Sequence, residues 1–65
     1  MNKFEAYTSI QNDIAFIMGF HPSLRIGQII SNFQGWMENL GRDIYYMTDD
    51  ELAKAFTEFR NFLCA

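Results

Sequence analysis

The chain of 65 residues is poor in the residues that usually stabilise so small a protein. It has one cysteine and one histidine, so it can form neither an internal disulfide nor a zinc site. Only five side chains are basic against eight acidic ones, and the basic ones are scattered, which argues against binding to a nucleic-acid polymer. No leader opens the chain, and no apolar run approaches the roughly 18 residues that a membrane span needs.

The same shortages indicate where the protein works and how it is stabilised. The unpaired thiol of Cys64 fits a reducing compartment, so we expect a cytoplasmic protein that binds no metal, cofactor or membrane. A single core at this length supplies only about 3–5 kcal/mol, and oligomerisation is the remaining way to add stability. Seven phenylalanines, three tyrosines and one tryptophan exceed what so small an interior can bury. The composition therefore predicts a homo-oligomer, most simply a twofold dimer.

Apolar residues recur at helical spacing in three segments, which predicts an all-α fold with a single domain over residues 1–65. The expected helices cover about 3–18, 24–40 and 49–63. The predicted core stripes are Phe4, Tyr7, Ile10, Ile14, Ile17 and Met18, then Ile26, Ile29, Ile30, Phe33, Trp36 and Met37, then Leu52, Phe56, Phe59 and Leu63.

Helix ends are marked by local signals. Gly19 is the expected stop of the first helix, and Ser23 is the expected N-cap of the second. Thr48 and Glu51 have the spacing of a capping box at the start of the third helix. The segment before that box, 42–47, leans towards β structure but is too short to predict a sheet.

The second predicted helix has a face with almost no side chain. Gly27, Ser31 and Gly35 repeat there every fourth residue. Each glycine costs about 1 kcal/mol relative to alanine inside a helix, so we expect something to lie close to this backbone. The candidates are the first helix, a second copy of the same helix, or a ligand.

A polar row borders this face and is the main candidate ligand site. Arg25, Gln28, Asn32 and Trp36 follow one another at spacings of three, four and four residues, along one edge of the helix. A guanidinium group suits phosphate, amides suit a base or ribose edge, and an indole offers a stacking surface. The alternatives are a solvated helix edge with a half-buried tryptophan, or a row of hydrogen bonds in an interface.

Further candidates lie outside that row. Arg42 either complements the end of the second helix and pairs locally, or makes a second contact to an anion while Tyr45 or Tyr46 stacks on a ring. Phe16 and Phe20 lie off the core stripe of the first helix and predict an exposed partner surface.

Two segments carry recognisable motifs. They read Arg25-x-Gly27-Gln28-x-x-x-Asn32 and Asp43-Ile44-Tyr45-Tyr46-x-x-Asp49-Asp50-Glu51-Leu52. In this combination, the chain resembles a group of very short, uncharacterised phage and bacterial proteins, and the resemblance covers more than half of its length. The group implies no established reaction. Some very short phage proteins of this construction look like sponges that sequester nucleotide immune signals, which implies an anti-defence role in a host cytoplasm.

Two functions are compatible with these patterns, and neither is enzymatic. No serine, cysteine or paired-carboxylate arrangement suits catalysis, and 49–51 is better explained as a helix cap. The leading hypothesis is a binder of a small anionic ligand, a sponge for a cyclic nucleotide or an ADP-ribose derivative at a dimer cleft. The alternative is a helical module that inhibits or recruits a host protein. A sponge requires arginine and amide groups that converge, whereas a module requires an exposed apolar patch.

Overall fold

The computed structural model describes all 65 residues and consists of three α-helices and one short 3-10 turn. These elements are α1 (Lys3–Phe20), α2 (Ile26–Asn39), the 3-10 turn (Ile44–Tyr46) and α3 (Asp49–Leu63). The all-α prediction is confirmed, and α3 has the bounds predicted for it. No helix combines the length and the apolarity that a membrane crossing requires.

The junction between α1 and α2 differs from the prediction. α1 continues through Gly19 to Phe20, where the N–H of His21 donates to the carbonyl oxygen of Ile17 over 2.7 Å. Ser23 is not the N-cap of α2. Leu24 closes the preceding turn and packs against the core, so the helix begins only after it and Arg25 takes the N-cap position.

The start of α3 confirms the capping box. The N–H of Glu51 donates to the hydroxyl oxygen of Thr48 over 3.2 Å, and the N–H of Thr48 donates to Oε1 of Glu51 over 3.1 Å. Before the box, the segment that leaned towards β structure forms the 3-10 turn instead. Oδ1 of Asp43 accepts from the N–H of Tyr45 over 3.0 Å and starts that turn. Gly41, with a φ of 69°, reverses the chain after α2.

The core lies where the three helices meet and is rich in aromatic rings. The ring centroids of Phe33 and Phe56 are 4.4 Å apart, and that of Phe59 lies 5.5 Å from Phe33. The buried cluster comprises Ile17, Ile29, Phe33, Met37, Ala55, Phe56 and Phe59. Because rings from α2 and α3 interlock here, these two helices hold each other largely through side chains.

α1 and α3 run in the same direction and pack more closely than any other pair of helices. Ala6 on α1 and Ala53 on α3 are 2% and 1% exposed, and such small side chains let the two backbones approach. At the far end, Nε2 of His21 lies 2.9 Å from the carbonyl oxygen of Leu63. The interface of α1 and α3 is therefore the tight seam of the fold.

Half of the predicted core stripe of α1 packs against the core, namely Ile10, Ile14 and Ile17, and the other half does not. Phe4, Tyr7 and Met18, expected in the core stripe, are exposed, and the buried side carries Ala6, Asp13 and Ile17. Ile26 and Ile30 of the α2 stripe are exposed as well. α1 thus has apolar residues on two sides. The side with small residues is buried, because only there can the backbone of α3 come close.

Candidate functional site

The predicted ligand-binding row starts at the beginning of α2, where Arg25 and Gln28 are both exposed. The N–H of Arg25 donates to Oε1 of Gln28 over 2.9 Å, so this oxygen caps the helix and is engaged before any ligand arrives. The guanidinium group of Arg25 takes part in none of the three ion pairs of the chain. It is therefore free to contact an anion, whereas Gln28 keeps only its NH₂ group for a ligand.

Asn32 and Trp36 line a groove of about 400 Å³ between α2 and the end of α3. The ring centroid of Trp36 lies 5.5 Å from Phe59 and 6.0 Å from Phe62. The other lining residues are Ser31, Gly35, Asn39 and Leu63. No atom lies within 4 Å of the position that a Cβ of Gly35 would take, so the missing side chain leaves room inside the groove. The lining of this groove thus combines aromatic rings with amide side chains and includes no charged residue.

Within one chain, the polar row does not form a single site. Arg25 and Gln28 lie outside the groove of Trp36. Arg25 precedes Trp36 by eleven residues. At 1.5 Å per residue, this places the two about 16 Å apart along the helix axis. The structure brings Asn32 and Trp36 together and separates them from the arginine.

Arg42 and Tyr45 do not join the groove of Trp36 either. Nη1 of Arg42 donates to Oε2 of Glu58 over 3.2 Å, so Arg42 pairs with a residue of α3. One interpretation had expected it to pair with a near neighbour in the sequence. Arg42 lines a separate groove with Gln34, Met37, Glu38, Asp43 and Ile44. Tyr45 is 83% exposed, and its ring meets that of Tyr46 edge-on at 5.0 Å.

The face of Gly27, Ser31 and Gly35 packs directly against no other helix, although Ser31 and Gly35 line the groove beside the end of α3. No atom lies within 4 Å of a Cβ built on either glycine. At about 100° per residue, this face points away from the buried side of α2. Of the three candidates for this face, α1 is therefore excluded, and a second copy or a ligand is left.

Phe16 and Phe20 form an exposed aromatic pair on α1. They are 52% and 53% exposed, and their nearly parallel rings lie 6.5 Å apart between centroids. The guanidinium carbon of Arg60 lies 5.1 Å from the centre of the Phe16 ring, within the range of a cation–π contact. The ring of His21 meets that of Phe20 edge-on at 5.0 Å. The pair is thus held in place on both sides.

A buried polar cluster lies beside this pair, centred on Asp13, which the sequence did not single out. Asp13 is 3% exposed. Its Oδ1 accepts from Nη1 of Arg60 over 2.9 Å, and its Oδ2 accepts from the hydroxyl of Thr57 over 2.7 Å. The signal that could have found it is the spacing of Ala6, Asp13 and Ile17, which places all three on one side of α1.

A polar groove of about 620 Å³ runs along this cluster between α1 and α3. Its lining residues are Met1, Asn2, Phe4, Glu5, Thr8, Ser9, Asn12, Asp13, Thr57 and Arg60. Arg60 therefore belongs both to this groove, which we call the α1–α3 groove, and to the contact with Phe16. The groove and the aromatic pair form one continuous surface.

The other polar side chains have structural partners. His21 joins the end of α1 to the end of α3 through the carbonyl oxygen of Leu63. Every buried side-chain nitrogen or oxygen has a hydrogen-bond partner, and no three His, Cys, Asp or Glu side chains are grouped to hold a metal ion. Hydrogen bonds from Thr48 lower the pKa of Glu51 below its usual value, which reflects the helix cap.

Comparisons with known proteins do not identify this arrangement. No protein-family model matches the chain, and neither the curated proteins nor the solved structures contain a match. The resemblance to short phage and bacterial proteins stays a prediction, and a function has to be argued from the surfaces described above.

Proposed function

We propose that this chain is a small, non-enzymatic interaction module that binds and inhibits or recruits another protein. One observation carries the proposal: Phe16 and Phe20 form a fixed, half-exposed pair that adjoins the α1–α3 groove. Apolar rings held side by side in water are typical of a partner surface. The reducing cytoplasm is the proposed place of action, because the single thiol of Cys64 stays unpaired there.

The surface fits a protein partner in its chemistry. Hydroxyl and amide side chains of the α1–α3 groove, such as those of Ser9 and Asn12, can donate to and accept from the main chain of a peptide. The pair of Phe16 and Phe20 provides the apolar anchor that dominates most interfaces. Since Asp13 holds Arg60 against Phe16, the anchor is already ordered before binding, which reduces the entropy lost on association.

A nucleotide sponge is the second candidate and rests on the groove of Trp36. Trp36 and Phe62 offer a stacking surface for a base, and Asn32 offers a donor and an acceptor beside it. A phosphate would need Arg25, about 16 Å away along α2. The sponge therefore requires a homodimer in which Arg25 of the partner subunit approaches this groove. Because arginine and amide groups do not converge within the chain, the interaction module is better supported.

The two functions can be separated by capture from a bacterial lysate. We expect the immobilised wild-type protein to retain a specific protein that the double variant Phe16→Ser, Phe20→Ser loses. The matched control is Tyr45→Ser, Tyr46→Ser, which removes another exposed aromatic pair and should retain the same protein. With the captured protein purified, the affinity of the Phe16 and Phe20 variant should fall at least tenfold in a titration.

Two results would contradict the proposal. One is equal capture by the wild-type protein and the Phe16 and Phe20 variant. The other is a rise in melting temperature with cyclic dinucleotides or ADP-ribose that Arg25→Ala abolishes, which would favour the sponge. A ligand present at 100 times its dissociation constant adds about 2.7 kcal/mol, so such a shift is easily measured.

A further inference from the structure

The outer face of α1 carries large side chains that the core does not use. Phe4 is 77% exposed, Tyr7 is 58% exposed and Met18 is 40% exposed. Gln11 and Ala15, which lie between them, are exposed as well. At about 100° per residue, all five fall within an arc of about 80°. We call this surface the outer face of α1, and it contains no charged residue.

We infer that two copies of this protein pair through the outer face of α1, antiparallel to each other about a twofold axis at Gln11. The outer-face residues are spaced by three, four, four and three positions, an order that reads the same from either end. Gln11 is the central member, close to the middle of α1. A twofold axis there places Phe4 opposite the partner's Met18 and Tyr7 opposite the partner's Ala15, and each contact occurs twice.

The paired side chains are complementary in size and chemistry. The ring of Tyr7 would meet Ala15, the smallest side chain of the face, so that a large side chain lies opposite a small one. Phe4 would meet Met18, and a thioether packs well at the edge of an aromatic ring. The amide of Gln11 has both donors and an acceptor, so two copies across the axis can bond to each other reciprocally. A polar residue in an otherwise apolar helix pair also fixes its register.

The available area suits a weak, reversible dimer. The exposed parts of Phe4, Tyr7 and Met18 and their neighbours on two copies together offer roughly 1,000 Å², near the lower end of specific interfaces. The absence of charge means that no like charges oppose each other at the contact. Phe16 and Phe20 lie about 160° around α1 from this face, so pairing leaves them accessible. Phe4 also lines the α1–α3 groove, so the dimer would share this one residue with the surface of the proposed function but would leave its apolar anchor free.

The first test asks where self-association takes place. It compares the outer face of α1 with the face of α2 that carries Gly27, Ser31 and Gly35. Sedimentation of the full chain should show a concentration-dependent dimer, and Tyr7→Glu should raise its dissociation constant at least tenfold. The control Gly27→Leu should leave the dissociation constant unchanged, because Gly27 lies on the other surface. Circular dichroism should show equal helicity for all three proteins. A monomeric wild-type protein, or a dimer broken by Gly27→Leu and kept by Tyr7→Glu, would overturn the inference.

The second test addresses the antiparallel arrangement and does not depend on a destabilising variant. In a Cys64→Ser background, Gln11→Cys should form a covalent dimer on oxidation, because a residue on the twofold axis meets its own copy. Phe4→Cys alone should form no covalent dimer on oxidation, but it should form one when it is mixed with Met18→Cys. Self-cross-linking of Phe4→Cys, or failure of the mixed pair and of Gln11→Cys, would show that the helices do not pair in this way.

Discussion

α1 and α3 lie side by side but distribute their apolar residues differently. In α3, the buried side carries Phe56 and Phe59, and the exposed side carries charged residues such as Lys54 and Glu58. In α1, the buried side includes the carboxylate of Asp13, and large apolar residues face the solvent. Among the large apolar side chains of α3 only Phe62 is exposed, whereas α1 leaves a whole side of such residues uncovered. The contrast supports the proposal that α1 carries the surface for association.

The largest expected difference between the two helices comes from removing a phenylalanine from each. Phe59→Ala should cost about 3–5 kcal/mol, because it empties a position among the core rings. That loss is comparable with the whole stability of a core of this size, so we expect the variant to be mostly unfolded at 25 °C. Phe4→Ala should change the free energy of unfolding by less than about 0.5 kcal/mol.

Urea unfolding measures the free energy of unfolding of both variants. The protein concentration should be kept low enough that the chain is monomeric. The outcome that would break the comparison is a similar loss of stability for Phe4→Ala and Phe59→Ala, since α1 would then use its outer face within the folded chain.

A smaller effect is expected from the buried side of α1. Asp13→Ala leaves Nη1 of Arg60 without its acceptor, whereas the hydroxyl of Thr57 can still donate to the carbonyl oxygen of Ala53, 3.2 Å away. The side chain of Arg60 is 30% exposed and can turn towards water. The cost should therefore be about 2 kcal/mol, below the 3–5 kcal/mol of a fully buried pair. The control Asn12→Ala, at the neighbouring exposed position, should cost less than about 0.5 kcal/mol in thermal unfolding. Equal losses would mean that the cluster does not secure the seam.

The smallest expected effect concerns the start of α3 and depends on pH. The backbone hydrogen bond with Thr48, followed by its side-chain bond, lowers the pKa of Glu51 from 4.5. The folded state therefore holds this proton less tightly than the unfolded state does. Its stabilising contribution is present above pH 4.5 and is lost as the pH falls through the lowered pKa.

We expect Glu51→Gln to lower the melting temperature at neutral pH, with a difference from the wild type that shrinks as the pH falls below 4.5 and through the lowered pKa of Glu51. Glu38→Gln, at an exposed position of α2, serves as the control and should follow the wild type throughout. A difference that stays constant from neutral to acidic pH would show that the charge of Glu51 does not contribute to the cap.

Local features of the fold could be predicted from the sequence, because their causes lie within one turn of helix. Thr48 and Glu51 need only a spacing of three residues to cap α3, and the bounds of that helix follow. The buried side of α1 could not be predicted in this way. Asp13 is buried because it meets Thr57 and Arg60, which lie 44 and 47 residues further along the chain.

The candidate site follows the same division. Asn32 and Trp36, one helical turn apart, do share a groove, as their spacing predicts. The larger row does not converge within one chain because Arg25 lies three turns earlier, and the ion pair of Arg42 is made with Glu58, sixteen residues later. The exposed positions of Phe16 and Phe20 follow from their place off the apolar stripe, but the arginine that orders them comes from another helix.

The seam between α1 and α3 has a consequence for how the chain reaches its native state. The contacts of His21 with Leu63 and of Asp13 with Thr57 and Arg60 join residues 42 to 47 positions apart. Chains that fold rapidly rely on contacts between near neighbours in sequence, and distant contacts require a costly loop closure first. α1 and α2 lack most of their core rings until α3 arrives. On the ribosome, we therefore expect α1 and α2 to lack stable tertiary packing until α3 has emerged and can close these contacts.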